Sequence, residues 1–144
     1  MQLTDSLTKK RRSWNMSRIR SKDTKPELAV RSSLKRLSVR FRVHVRRLPG
    51  CPDFVFSKLR TVLFVNGCFW HRHRNCRFAY SPKSHRGFWE KKFKSNVERD
   101  RRFRRSLKKL GWTVRVIWEC QTREVDRLDD LVRRALLTQS SEDV

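Results

Sequence analysis

The chain has no long apolar stretch. No segment approaches the run of about 18 apolar residues that crosses a bilayer, and no secretory signal pattern is present. These absences argue against a membrane protein and predict a cytoplasmic one. The 144 residues also contain no internal repeat and no linker-like segment, so we expect a single domain with a substantial core.

Acidic side chains are scarce. The 14 Asp and Glu residues oppose 37 Lys and Arg, which gives a formal net charge of +23. A charge excess of this size repels itself unless a polyanion binds it. Nucleic acid is the partner that the charge favours, because neutralised phosphates release their condensed counterions. An anionic membrane surface is the alternative, and the missing apolar run disfavours it.

Cysteine is present in only four copies, which is consistent with a reducing cytosol and argues against a disulfide framework. Three cysteines and a histidine have the spacing of a candidate zinc site: Cys68, His73, Cys76 and Cys120. Zn²⁺ prefers four tetrahedral thiolate and imidazole ligands, and a distant fourth ligand would clamp the loop onto the sheet. His71 is the alternative nitrogen ligand. Buried, unlinked cysteines are the alternative to a metal, and Cys51 is left as a spare thiol.

The apolar periodicity predicts an α/β fold with a mixed sheet covered by helices. The predicted elements are a helix from Thr24 to near Ser38, strands Arg40–Val45, Asp53–Phe56 and Thr61–Val65, a loop at 66–86, a helix Phe88–Leu110, a strand Trp112–Trp118 and a helix Leu128–Leu137. The first three strands lie too close together for helical crossovers and should form a meander. We expect a basic arm at 1–22, one domain at 23–138 and a loose tail at 139–144.

Two carboxylates each have a structural and a chemical interpretation. Asp53 begins an apolar strand directly after Pro52, where it could anchor a Mg²⁺ that also takes waters and phosphate oxygens. The alternative is a turn aspartate that bonds to the local backbone. Glu27 lies three residues after Thr24, so the pair predicts a capping box, with catalysis as the alternative.

Two pairs of adjacent aromatic residues lie among basic residues: Phe69-Trp70 and Phe88-Trp89. In an extended chain, neighbouring side chains point to opposite sides, so both members of a pair cannot easily reach one core. These rings are therefore candidates for wedges in a DNA stack or for platforms under bases. Core packing is the alternative for each of them.

Four segments in register resemble the very-short-patch repair (Vsr) mismatch endonucleases. They are LPGCPDFVF, VLFVNGCFWHRH, FWEKKFKSNVERDRR and LGWTVRVIWEC, with NMSRIRSKDTKPE upstream. The resemblance implies a restriction-endonuclease-like fold with a structural zinc. It implies an enzyme that nicks double-stranded DNA on the 5′ side of the thymine in a T:G mispair, which arises when 5-methylcytosine deaminates. It further implies a monomer at the chromosome of a bacterial-type cell, with mismatch-repair proteins as candidate partners.

By motif position, the resemblance assigns catalytic Mg²⁺ to Asp53 and the backbone carbonyl of Val65. It assigns a metal-bound water to Glu27 and the general base to His71. The DNA wedge would be Phe69, Trp70 and Trp89, and the zinc ligands Cys68, His73, Cys76 and Cys120. Where the family usually has Thr-His, this chain has Val65-Asn66. Asn66 can hydrogen-bond a metal-bound water but cannot transfer a proton, so a catalytically weak or inactive zinc-stabilised DNA-binding module is the alternative function.

Overall fold

The computed structural model describes residues 23–137, so the predicted arm at 1–22 and tail at 139–144 lie outside the described residues. The elements are α1 (Lys25–Arg36), β1 (Arg42–Val43), β2 (Phe54–Phe56), β3 (Thr61–Asn66), α2 (Arg86–Lys109), β4 (Thr113–Trp118), a 3₁₀ turn (Glu119–Thr122) and α3 (Val125–Leu137). The predicted order of helices and strands is confirmed. Within this part of the chain, no helix has the length and apolarity needed to span a membrane.

The four strands form one mixed sheet in the order β1-β2-β3-β4. The first two pairings are antiparallel, which confirms the predicted meander. Strands β3 and β4 are parallel, and α2 supplies the crossover that a parallel pair requires. The apolar β3 therefore lies inside the sheet, as its continuous run of apolar residues predicted.

Helices cover both faces of the sheet. On one face, α1 and α3 pack against β2, β3 and β4 through a core of Val30, Leu34, Phe54, Phe56, Leu63, Ile117, Leu128, Val132 and Leu136. On the other face, Leu107 of α2 packs against Val55 and Val62. The predicted α/β fold, with a mixed sheet flanked by helices, is confirmed.

Hydrogen bonds and one tight turn fix the ends of these elements. Thr24 caps α1 by accepting a bond from the Glu27 N–H at 3.3 Å. Glu27 reaches back to the N–H of Asp23 at 2.8 Å, so the second bond of the predicted capping box goes one residue further than expected. Gly50, with φ of 77°, forms the turn that precedes Asp53, and the Phe103 ring of α2 lies against it.

The boundary predictions are least accurate for β1 and α3. The strand expected over Arg40–Val45 is paired only at Arg42–Val43, because His44 adopts a left-handed φ of 50° that ends the extended run. Val43 is 39% exposed and does not face the core as its alternation predicted. The last helix begins at Val125, three residues before the predicted Leu128.

Candidate active site and metal-binding cluster

The strand pairing brings Asp53 beside Val65. Asp53 directly precedes β2, and its Oδ2 accepts the backbone N–H of Val65 in β3 at 2.7 Å. This bond crosses from one antiparallel strand to the next, so the sheet itself sets the position of the carboxylate. Two of the predicted magnesium ligands thus lie together.

Helix α1 delivers a second carboxylate to the same place. Glu27 is only 3% exposed although it lies in the first turn of the helix. The pKa of Asp53 is raised to about 7, chiefly by burial and also by the neighbouring Glu27, while the Val65 N–H opposes the shift. Two carboxylates that share a buried site favour a shared proton or a bound cation. Glu27 can therefore both cap α1 and provide a carboxylate beside Asp53.

His44 also lies at this site, and the sequence analysis missed it. The predicted strand placed His44 on an outer face with arginines. In the structure its Nε2 is 3.4 Å from Glu27 Oε2 and 3.8 Å from Asp23 Oδ1. The signal that could have found it is the antiparallel pairing of RFRVHV with DFVF, which places His44 opposite Asp53.

His71 pairs with a partner that the sequence analysis also missed. Its Nδ1 lies 2.6 Å from Asp100 Oδ2 on α2, and its backbone N–H donates to the Gly67 carbonyl at 3.1 Å. Asp100 lies 29 positions along the chain, and only the packing of the loop on α2 brings the two groups together. Asn66 ends β3, directly after Val65, and is buried.

Three cysteines and a histidine converge at the C-terminal end of β4. Ligand atoms of Cys68, His73, Cys76 and Cys120 all lie within 4.8 Å of one another. His73 Nδ1 is 3.7 Å from the Cys68 sulfur and 3.5 Å from the Cys120 sulfur. A tetrahedral Zn²⁺ at its usual bond lengths separates its ligand atoms by about 3.5–3.8 Å, so the cluster fits this ion. His73, and not His71, is the histidine beside the cysteines.

The electrostatics of this cluster suit a divalent cation. Burial lowers the pKa of His73, which favours the neutral imidazole that binds metal. Burial also raises the pKa of the Cys68 thiol to about 12, so Cys68 ionises at neutral pH only if a cation compensates the charge. The His73 ring stacks on Trp118 at 4.2 Å, which fixes its orientation.

The candidate DNA-binding aromatics form a cluster at the start of α2. The rings of Phe69 and Trp70 meet edge to face at 5.1 Å, and Trp89 lies 5.5 Å from Phe69 and 5.8 Å from Trp70. The expectation that neighbouring rings point to opposite sides is wrong here, because these residues lie in turns and not in an extended strand. Trp89 is only 6% exposed, whereas Phe88 is 49% exposed.

The outer face of α2 is strongly basic. Its exposed acidic residues are Glu90 and Glu98. Its exposed basic residues are Arg86, Lys91, Lys92, Lys94, Arg99, Arg101, Arg102, Arg104, Arg105, Lys108 and Lys109. The helix has 24 residues and so extends this charge over about 36 Å. Such a surface is complementary to a nucleic-acid backbone.

Known proteins match the chain over most of its length. A family model described as "DNA mismatch endonuclease Vsr" matches residues 4–77. The chain is 45% identical to "Type II nicking enzyme V.XorIIP" of Xanthomonas oryzae pv. oryzae, over 93% of this chain and 98% of that protein. It is 42% identical to "Type II nicking enzyme V.NmeAIP" of Neisseria meningitidis, over 91% of this chain and 96% of that protein. It is also 42% identical to "DNA mismatch endonuclease Vsr" of Escherichia coli, over 89% of this chain and 81% of that protein. The chain therefore belongs to the Vsr family of DNA mismatch endonucleases.

Proposed function

We propose that this protein is a Mg²⁺-dependent endonuclease that nicks one DNA strand on the 5′ side of the thymine in a T:G mispair. The observation that carries the proposal is the pair formed by the half-buried Asp53 and the buried Glu27 beside Val65, in a chain of this family. Two relatives named as nicking enzymes and one named as a mismatch endonuclease support the single-strand cut and the substrate.

The donor set at Asp53 suits a hard cation. Its carboxylate and the Val65 backbone carbonyl are oxygen ligands of the kind that Mg²⁺ takes together with waters and phosphate oxygens. When bound, Mg²⁺ supplies charge neutralisation on the phosphate and a more acidic water. The raised pKa of Asp53 supports this assignment, because the two neighbouring carboxylates have charge that a cation would offset.

His71 is suited to accept the proton of the attacking water. Asp100, 2.6 Å from Nδ1, would hold the tautomer in which Nδ1 carries the proton. The other ring nitrogen, Nε2, is then free to act as a base at neutral pH. Asp100 has here the role of the orienting carboxylate in a hydrolase triad. Glu27 would hold the water that His71 deprotonates.

The aromatic cluster would provide mismatch recognition. Wedging apolar rings between base steps costs unstacking energy, and this cost is lower at a mispair than at a sound pair. Phe69 and Trp70 are the half-buried members, while Trp89 supports them from α2. Its burial predicts that the cluster must open before Trp89 can contact a base. The basic face of α2 would supply phosphate contacts.

The second metal would be structural. A Zn²⁺ on the four residues around Cys68 would join the loop after β3 to the end of β4. This loop carries Phe69, Trp70 and His71, so the ion would hold both the wedge and the proposed base against the sheet.

Strand-resolved nicking of labelled duplexes tests the proposal. Matched and T:G-mismatched duplexes, with a different fluorophore on each strand, are incubated with protein and Mg²⁺. One nick next to the mispaired thymine is expected in wild-type protein and in Asp130→Asn, a matched surface control that pairs with Arg134 one helical turn away. Asp53→Asn should abolish it. A nick that survives in Asp53→Asn, or equal cutting of matched DNA, would contradict the proposal.

Asn66 favours the second candidate function, a DNA-binding module with little or no catalysis. Asn66 is buried and directly follows Val65 in β3, and its amide cannot transfer a proton. Tight, salt-dependent binding of the T:G duplex without a nick would support this function. Recovery of nicking in Asn66→His would then identify the amide as the cause.

A further inference from the structure

The imidazole of His44 lies in the candidate active site, although no step of the proposed reaction uses it. The register of β1 and β2 pairs Val43 with Phe54, which places His44 opposite Asp53. The His44 N–H donates to the Asp53 carbonyl at 3.2 Å, next to the paired strands. Strand pairing thus brings His44 to the same carboxylate centre as Glu27.

The Nε2 atom of His44 is buried and makes no hydrogen bond among the described residues. Its near neighbours are two carboxylates, Glu27 Oε2 at 3.4 Å and Asp23 Oδ1 at 3.8 Å. Asp23 Oδ1 already accepts a bond from Arg31 at 3.1 Å. Glu27 Oε2 likewise accepts the Asp23 N–H at 2.8 Å, but it is the nearer of the two acceptors to Nε2. Buried polar atoms nearly always have a hydrogen-bond partner, so this arrangement needs an explanation.

The backbone at His44 is also unusual. Its φ of 50° lies in the left-handed region, which residues other than glycine seldom adopt. Seven other non-glycine residues of the described chain also have a positive φ, so what distinguishes His44 is that its side chain comes to lie beside Glu27. A merely solvated surface histidine would not explain this, because the His44 side chain is only 18% exposed.

We propose that His44 is a positioning residue, whose Nε2–H donates to the Glu27 carboxylate and fixes it beside Asp53 when a divalent cation or DNA is bound. The inference rests on the proposed function, in which Glu27 holds the attacking water. Small displacements of a reacting group strongly reduce a rate, whereas binding contacts elsewhere stay intact. His44 should therefore affect the nicking step and leave DNA affinity unchanged.

Two amide variants separate this role from packing. The amide nitrogen of glutamine reaches the position of the histidine Nε2, whereas that of asparagine reaches only the position of Nδ1. His44→Asn should lower the single-turnover nicking rate about 10–100-fold, as loss of an orienting partner does. His44→Gln should stay close to wild type. Asp23→Asn, which removes the other nearby carboxylate, should also stay close to wild type.

A double-variant cycle tests whether His44 acts through Glu27. Adding His44→Asn to Glu27→Gln should not lower the rate further, because two residues that act as one unit are not additive. DNA affinity, measured by fluorescence anisotropy, should be equal in all these proteins. Additive losses in the cycle, or equal rates in His44→Asn and His44→Gln, would overturn the inference.

A Mn²⁺-binding measurement distinguishes a failure of the His44 inference from a failure of the proposed function. If wild-type protein does not nick DNA, the proposed function fails. The Mn²⁺ affinity of the free protein then tests whether His44 positions the carboxylates. Electron paramagnetic resonance of unbound Mn²⁺ should give about 10-fold weaker binding for His44→Asn than for His44→Gln, if His44 orients the carboxylates. Equal affinities in the wild-type protein and both variants would overturn the positioning role.

Discussion

Replacement by alanine is expected to have opposite effects on stability at two glycines: Gly50, in the turn before Asp53, and Gly87, in α2. Gly50→Ala would place a methyl group 2.8–2.9 Å from three atoms of the Phe103 side chain, two of the ring and Cβ, at a φ of 77°. The left-handed conformation costs alanine about 1–2 kcal/mol, and overpacking costs about 1–3 kcal/mol. We therefore expect the free energy of unfolding to fall by about 2–5 kcal/mol. Gly87→Ala meets no atom within 4 Å in the first turn of α2 and should raise it by up to about 0.5–1 kcal/mol.

Urea unfolding at fixed zinc concentration measures the free energy of unfolding of both variants. A double variant separates the two contributions to the stability that Gly50→Ala loses. Phe103→Ala removes the ring that the new methyl group would meet, so Gly50→Ala should cost less in that background. The remaining cost then measures the backbone strain together with the contact to the Cβ atom of residue 103, which alanine keeps. A Gly50→Ala protein as stable as wild type would refute both the backbone strain and the collision with Phe103. Additive losses in the double variant would refute the ring collision and leave the strain.

Three further variants test the core, the contact between α1 and α3, and the zinc cluster. Leu34→Ala in the core should destabilise the protein by about 2–5 kcal/mol in urea unfolding, whereas the exposed Leu110→Ala should change little. Hydrogen bonds from Arg36 and Ser33 lower the pKa of Asp129, so its contribution is complete above the unfolded pKa of about 4 and is lost as pH falls through the folded value. The difference in urea midpoint between wild type and Asp129→Asn should therefore shrink below about pH 4, and a constant difference would contradict the assignment. Wild-type protein should contain zinc by mass spectrometry, Cys120→Ser should lose it, and Cys51→Ser, outside the cluster, should retain it; zinc-free wild-type protein would refute the cluster's role.

The sequence predicted what depends on local pattern and on rare residue types. Apolar runs gave the order of elements, and the spacing of Cys68, His73 and Cys76 predicted the group that the structure brings together with Cys120. Cysteine and histidine are scarce in this chain, so their spacing has few competing explanations.

The sequence could not show which side chains meet through packing. Asp100 reaches His71 only because the loop folds onto α2, and no local pattern encodes that approach. His44 was hidden by strict alternation, which assumes an extended backbone up to Val45, whereas the chain turns at His44. The same assumption misplaced Phe69 and Trp70, whose segment turns and lets the rings meet.

The cysteine cluster has a consequence for the entropy of the unfolded chain. Cys68 and Cys120 are separated by 52 positions, and the whole of α2 lies between them. A link that closes a loop of this length removes about 4 kcal/mol of chain entropy from the unfolded state, by the estimate used for disulfides. An ion held by these ligands would therefore stabilise α2, although α2 contributes no ligand to it.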